Sequence, residues 1–259
     1  MQLWVFCKYV YAQFAKKPGE RTIIRMTDNH THIHKKHDHF KMLTKKELHE
    51  TAIERVHMIA EEFTKGFDFL RDYPKSVSIF GGLHMTEDSP YYAKARSLGA
   101  RIVTDLDYTV FTGGGPGIME AANRGAFEAG GKSFGLTIEL DNKQPTNTYV
   151  TKDLDFYYFF TRKVCLAFAA ESYVFFPGGF GTLDEFFEII TLVQTGKIEK
   201  VPVILVGSDF WKPLEEFMKK ELLGRGSIDP KDLKLYTITD NEDEIMEIIK
   251  NAPIRDGVK

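Results

Sequence analysis

Short runs of β-branched and aromatic residues alternate along the chain with longer segments whose apolar positions recur every three or four residues. The short runs are "SVSIFGG" (76–82), "YTVFTGGG" (108–115), "SFGLTIEL" (133–140), "SYVFFPGG" (172–179), "VPVILVG" (201–207) and "LYTITD" (235–240). Each reads as a strand. Helical spacing fills 89–105, 117–131, 161–171, 182–196, 209–223 and 241–251. Ser89 is placed to cap its helix, with Pro90 in the first turn. The stretch "YVTKDLDFYYFF" (149–160) reads as one or two short extended pieces. Ahead of the first strand, residues 44–73 read as one long amphipathic helix. There Leu48, Ile53, Val56, Ile59, Ala60 and Phe63 keep helical spacing, and Thr44 with Glu47 spells a capping box.

Strands alternating with helices of ten to fifteen residues predict βα units on a parallel sheet, an α/β fold. Continuous apolar runs such as "VPVILV" predict strands covered on both faces. No internal repeat and no second domain of distinct composition is visible. The expected organisation is a flexible, His-rich extension over 1–43 and one α/β domain over 44–259 that includes the long first helix.

Length and composition narrow the function classes. The chain has 259 residues, enough for one large α/β domain with an extension. Lys plus Arg is 34 and Asp plus Glu is 37, so the net charge is 34 − 37 = −3. That near-balance argues against a broad nucleic-acid surface and leaves room for a local basic pocket. Cys7 and Cys165 form no Cys-x-x-Cys pair, which fits a reducing cytoplasm and not a disulfide framework. The longest apolar stretches are strand-sized, so no membrane partner is expected. The start, "MQLWVFCKYVYAQFAKKPGER", is apolar early and basic late, the reverse of a secretory signal, and Met26 is an alternative start. Residues 27–42 hold His30, His32, His34, His37 and His39. They read as a solvated tail in preference to a metal tract, and no metal is expected.

Two strand–glycine–helix junctions carry the candidate chemistry: "FTGGGPGIMEAAN" (111–123) and "FFPGGFGTLDE" (175–185). Open parallel sheets bind ligands at the carboxyl ends of their strands. Helix N-termini there present unpaired N–H groups and a positive dipole end, which suit phosphate. The first junction is neither a Walker loop nor G-x-G-x-x-G. Tight strand-to-helix packing is the competing reading for both. Thr182 can bind an oxyanion or cap its own helix. In that helix Leu183, Phe186, Phe187, Ile190 and Val193 form the expected core stripe, with Glu185 and Glu188 off it on one side. A solvated acidic first turn is the alternative for both carboxylates.

Taken together, "GGGPGIMEAANRGA", "TRK" and "PGGFGTLDE" resemble the Lonely Guy family of nucleotide phosphoribohydrolases, whose members have often been labelled possible lysine decarboxylases. The resemblance covers roughly residues 75–225. It implies a Rossmann-like, doubly wound sheet and a homodimer or a multiple of dimers. It implies hydrolysis of the N-glycosidic bond of a nucleoside 5′-monophosphate, AMP or a cytokinin nucleotide, to free base and ribose 5-phosphate. By that resemblance Arg162 and Glu185 are catalytic. Gly114, Gly115, Gly117, Lys163, Gly178, Gly179, Gly181 and Thr182 bind substrate. Phe159, Glu120 and the pair Gly81-Gly82 depart from the common family pattern, which bears on the base more than on the reaction.

The residues permit that chemistry. Cleavage builds positive charge on the ribose, and a carboxylate at Glu185 would stabilise it and orient or deprotonate water. A guanidinium is a poor acid, so Arg162 suits phosphate binding, alignment of Glu185 or polarisation of the leaving base. Lys163 is either a phosphate contact or a surface lysine. No cofactor is expected: a decarboxylase would need a Schiff-base lysine for pyridoxal phosphate, and no lysine has a context that picks it out. The alternative is a non-catalytic nucleotide or molybdenum-cofactor carrier of the same fold. Phe156, Tyr157, Tyr158 and Phe159 are candidates for stacking on a base, or for the core or a dimer interface.

Overall fold

Strand β1 (Ser76–Phe80) has all five residues buried. Its side chains alternate: Val77 and Ile79 enter one apolar layer, and Phe80 enters the other. The alternation repeats on β2 (Thr109–Thr112), with Val110 opposed to Phe111. It repeats again on β5 (Ser172–Phe175) and β6 (Val203–Leu205), where Val174 and Ile204 oppose Tyr173, Phe175, Val203 and Leu205. A strand that is apolar on both sides needs cover on both faces. The computed structural model, which describes residues 45–139 and 145–254, supplies it as an α/β sandwich.

With β3 (Ser133–Ile138), β4 (Lys152–Phe156) and β7 (Thr237–Ile238), the strands form one sheet in the order β4-β3-β2-β1-β5-β6-β7, parallel throughout. This is the Rossmann-like architecture expected. The face carrying Phe80, Phe111 and Phe175 is covered by α1 (Lys45–Leu70), α4 (Phe159–Phe168), α5 (Phe180–Gln194) and α6 (Ser208–Phe217). The face carrying Ile79 and Val174 is covered by α2 (Pro90–Leu106), α3 (Ile118–Glu128) and α7 (Glu242–Lys250). The Ser89 cap forms as expected, its hydroxyl accepting from the Tyr91 N–H at 3.3 Å.

The elements follow the sequence reading closely, with the starts of two helices, α4 and α5, displaced. The 149–160 stretch holds one strand, β4, an edge strand that exposes Lys152, Asp153 and Asp155 and buries Phe156. Charge on an edge blunts pairing with another chain. Helix α4 then starts at Phe159 and α5 at Phe180, each two residues before the expected start. Helix α6 runs on into a π-helical turn, Met218–Leu223. Thr44, the Glu47 side chain and the histidine tract lie outside the described residues. Among the described residues no helix is long and apolar enough to cross a membrane, and no group of His, Cys, Asp and Glu could hold a metal ion.

The loop after β3 is tied to the first glycine junction through a buried amide. Asn123, on α3, accepts from the Thr112 hydroxyl at 2.6 Å and from Asn147 Nδ2 at 3.0 Å. Its own Nδ2 donates to Ser133 Oγ at 2.8 Å. Asn147 Nδ2 also donates to the carbonyls of Gly114 and Gly115. Replacing Asn123 by Ala strands several buried polar groups at once. We expect Asn123→Ala to cost about 2–4 kcal/mol, read by urea unfolding, because each buried group left unpaired costs roughly 1–3 kcal/mol.

Candidate functional site

Chain order reverses once in the sheet. The chain steps outward from β1 through β4, then returns to place β5 on the other side of β1. Loops leaving β1 and β5 therefore diverge, and the cleft between them is where open α/β sheets bind ligands. Gly81-Gly82 ends β1, and Pro177-Gly178-Gly179 follows β5. They are pinned together by the Gly82 N–H, which donates to the Pro177 carbonyl at 2.9 Å. A cavity of about 690 Å³ opens there.

Helix α5 forms one wall. Its N-cap is Gly179, which offers no side-chain cap, and Gly178, Gly179, Gly181 and Thr182 all line the cavity. The first N–H groups of a helix have no intrahelical partner, so the Phe180, Gly181 and Thr182 amides sit at the mouth of the site. Thr182 is the third helical residue, not the cap. Its hydroxyl rests where a side chain on Gly178 would lie: a Cβ there would stand 2.1 Å from Thr182 Oγ1.

What α5 packs against sets which of its faces is buried. The buried stripe is Thr182, Glu185, Phe186, Ile189 and Val193, with Phe187 exposed. Glu185 is thus on the stripe, 9% exposed, contrary to the sequence reading that set it to one side. The apolar residues meet the core, whereas Thr182 and Glu185 meet the cavity. Burial pushes the Glu185 carboxyl up from its ordinary 4.5 to about 7. The charges of Arg162 and Lys163 act against that rise, and Glu188 and Asp184 add to it.

Arg162 enters from α4. Its Nε donates to the Leu136 carbonyl on β3 at 2.7 Å, and the guanidinium is tucked under the first glycine junction. A Cβ on Gly113 would stand 2.4 Å from its Nη2, so a larger residue would evict the arginine. Burial pushes the Arg162 pKa down, and Glu185 acts against that shift.

The other candidates fall elsewhere. Lys163 does not line the cavity. Its Nζ lies 2.8 Å from Asp184 and 2.7 Å from Glu188, tying α4 to α5. Glu188 thereby has a structural partner. Gly114 and Gly115 line a small cavity of about 40 Å³ with Thr137 and Asp155, which hydrogen-bond each other. Gly117, at φ 73°, precedes α3 where the chain passes Gly82. A Cβ there would lie 2.3 Å from the Gly82 carbonyl oxygen. Of the first junction, Gly113 and Met119 reach the main cavity. Of the four aromatic candidates only Phe159 lines it, while Phe156 is core and Tyr157 packs edge-on against Tyr158.

Sequence reasoning passed over Met85, His84, Leu166 and Phe210, which also line the cavity. Gly81-Gly82 was the available signal for the first two. Phe210 carries none, since only the fold brings α6 to the cleft.

Comparison with known proteins bears on the family and the fold. The family described as "Possible lysine decarboxylase" matches residues 119–249. A cytokinin riboside 5′-monophosphate phosphoribohydrolase of Rhodococcoides fascians is 28% identical over 58% of this chain and 76% of its own. One from Arabidopsis thaliana is 29% identical over 71% of this chain and 81% of its own. Among solved structures, the structural-genomics target TM1055 aligns with a TM-score of 0.52 at 24% identity, covering 68% of this chain and 98% of that one. The molybdenum cofactor carrier protein of Chlamydomonas reinhardtii aligns with a TM-score of 0.50 at 22% identity, over 68% of this chain and 96% of that one. These two likenesses speak to the fold. With its family match spanning half of its length, the chain belongs to the Lonely Guy family, the group described as possible lysine decarboxylases.

Proposed function

We propose that this chain hydrolyses the N-glycosidic bond of a nucleoside 5′-monophosphate, releasing a free base and ribose 5-phosphate. One observation carries the reading: a buried carboxylate, Glu185, stands in a cavity with Arg162, one turn inside a glycine-capped helix whose N-terminal amides face the same space. The names of the curated relatives support the same reaction class.

The 5′-phosphate binds at the α5 N-terminus, on the Phe180, Gly181 and Thr182 amides and the Thr182 hydroxyl. Gly178, Gly179 and Gly181 let it come close to the backbone. The ribose then extends along α5 towards Glu185. As the C1′–N bond breaks, positive charge grows on the sugar and the ionised Glu185 stabilises it. Glu185 also takes a proton from the water that adds to C1′, and the departing base takes a proton from solvent at nitrogen. One water is thus consumed, and the protons balance once Glu185 returns its own to solvent. Arg162 stays cationic and pairs with charge on the substrate. Lys163 holds α5 against α4. The apolar wall of Met85, Met119, Leu166 and Phe210 receives the base, either adenine or a substituted adenine.

A lysine decarboxylase would carry pyridoxal phosphate on a lysine in the cavity. The residues do not fit that group: no lysine stands among the described cavity residues, and Lys163 faces Asp184 and Glu188. We further propose a homodimer or a multiple of dimers, supported by the exposed Phe160, Phe168 and Phe187 on α4 and α5.

Three measurements test these statements. Release of ribose 5-phosphate from a panel of nucleoside monophosphates should fall by about 10²–10⁴-fold in Glu185→Gln and about 10²–10³-fold in Arg162→Ala. The wild-type kcat/KM should rise with pH through about 7 as Glu185 ionises. Binding of nucleotides with no release from any of them would turn the reading to a carrier. Stability should show the opposite sign. The folded pKa of Glu185 lies above its unfolded value, so the stabilisation is present below about 4.5 and lost as pH rises through about 7. Relative to wild type, Glu185→Gln should therefore be more stable at pH 8 than at pH 4.5, by up to about 3 kcal/mol in urea unfolding. Light scattering should give at least twice the chain mass, and Phe160→Ser with Phe168→Ser should lower it.

A further inference from the structure

Helix α4 carries Arg162, yet it does not cap itself. Its N-cap, Tyr158, makes no side-chain cap hydrogen bond. A carboxylate from far back in the chain does the work instead. The Tyr157 N–H donates to Glu62 Oε1 at 2.7 Å, and the Tyr158 N–H donates to Oε2 at 3.3 Å. The Thr161 hydroxyl donates to Oε2 at 2.5 Å. Thr161 is fully buried and immediately precedes Arg162.

The rest of α1 holds α4 just as closely. Gly66 lies on Cys165 with no room for a side chain: a Cβ would stand 2.4 Å from Cys165 Sγ. Phe67 packs edge-on against Phe168 at 5.7 Å. Helix α1 thus touches α4 at its first turn, its middle and its end. It lies outside the span of the family match, which starts at residue 119.

We propose that Glu62 is a positioning residue for Arg162: its carboxylate fixes the first turn of α4 so that the guanidinium reaches past Leu136 and Gly113 to face Glu185. The inference rests on the phosphoribohydrolase reading for its catalytic consequence, and on geometry alone for the placement. Two forces act at the clamp. The carboxylate satisfies amides that the helix cannot pair internally, and its negative charge complements the positive helix end. Without it the first turn frays, and among the described residues the Arg162 side chain keeps only its hydrogen bond to the Leu136 carbonyl.

Displacement of Arg162 has a signature that general destabilisation lacks. Glu185 is faced by Arg162 and Lys163 from α4 and by Asp184 and Glu188 from its own helix, and His84 lines the same cavity. Moving Arg162 away removes the cation that most opposes the burial of Glu185, so the Glu185 midpoint rises.

The test compares Glu62→Ala, Glu62→Gln and Phe67→Ala with wild type. Thermal unfolding, kcat and KM are measured, together with the Glu185 titration by NMR of ¹³C-labelled glutamate, assigned with Glu185→Gln. Glu62→Ala should lower kcat by about tenfold, a loss of the size that a small misplacement causes, and should raise the Glu185 midpoint. Glu62→Gln should recover only part of both, because its amide oxygen can replace one of the two accepting oxygens while the charge and the other acceptor are lost. Phe67→Ala should lose stability while keeping kcat and the midpoint. The proposal is overturned if Glu62→Ala leaves the midpoint and kcat at wild-type values, or if Phe67→Ala moves them equally. If Glu62→Ala fails to fold, Thr161→Val carries the test, with a smaller rise expected and an unmoved midpoint as the overturning result. If wild type releases no ribose 5-phosphate, the catalytic reading fails, and the Glu185 titration alone still decides the clamp.

Discussion

Helix α5 buries a carboxylate on the same stripe that carries its apolar core residues, and most of the site is arranged around that burial. Glu185 shares its stripe with Phe186 and Ile189, so the helix cannot rotate to free it without exposing core. Burial of a carboxyl disfavours its charge. The neighbouring cations are what keep it ionisable near neutral pH. Arg162 and Lys163 both come from α4, and they act differently: one lines the cavity, the other pairs with Asp184 and Glu188 on the outer side of α5. The relation between α4 and α5 is therefore an electrostatic setting as much as a packing one.

That setting depends on parts of the chain distant from the cleft. Helix α1 meets α4 through Glu62 and Gly66, and the β3 carbonyl of Leu136 receives Arg162. The glycine junction after β2 takes on a role distinct from that of the junction after β5. The second lines the cavity through Gly178, Gly179 and Gly181. The first mainly clears space: Gly113 for the Arg162 guanidinium, and Gly117 for the passing Gly82 backbone. Two runs of similar composition serve different ends because they sit at different distances from the point where chain order reverses.

Legibility followed the range of the interactions. Local signals were readable: the alternation of strands and helices, the Ser89 cap and the glycine ends of strands all appear where the pattern puts them. Helix starts at Phe159 and Phe180 were missed because neither has a capping side chain of its own. One is capped by Glu62 from another helix, and the other, behind Gly179, has no side-chain cap. The face of Glu185 was misread because the choice of packing partner and the cavity beside it decide which stripe is inside. Charge type suggests exposure on average, and this cavity is the local exception.

By itself the sequence determined the α/β class, the order of the elements and the specific string from Pro177 to Glu185, because these rest on periodicity and on short-range turn chemistry. Only the tertiary structure decided that β5 returns beside β1, and with it which loops share a cleft. It also decided that Arg162 passes beneath Gly113, and that Lys163 turns to Asp184 and Glu188. The physical reason is that strand order and helix contacts are set by burying both faces of one sheet at once, a global condition that no local pattern encodes.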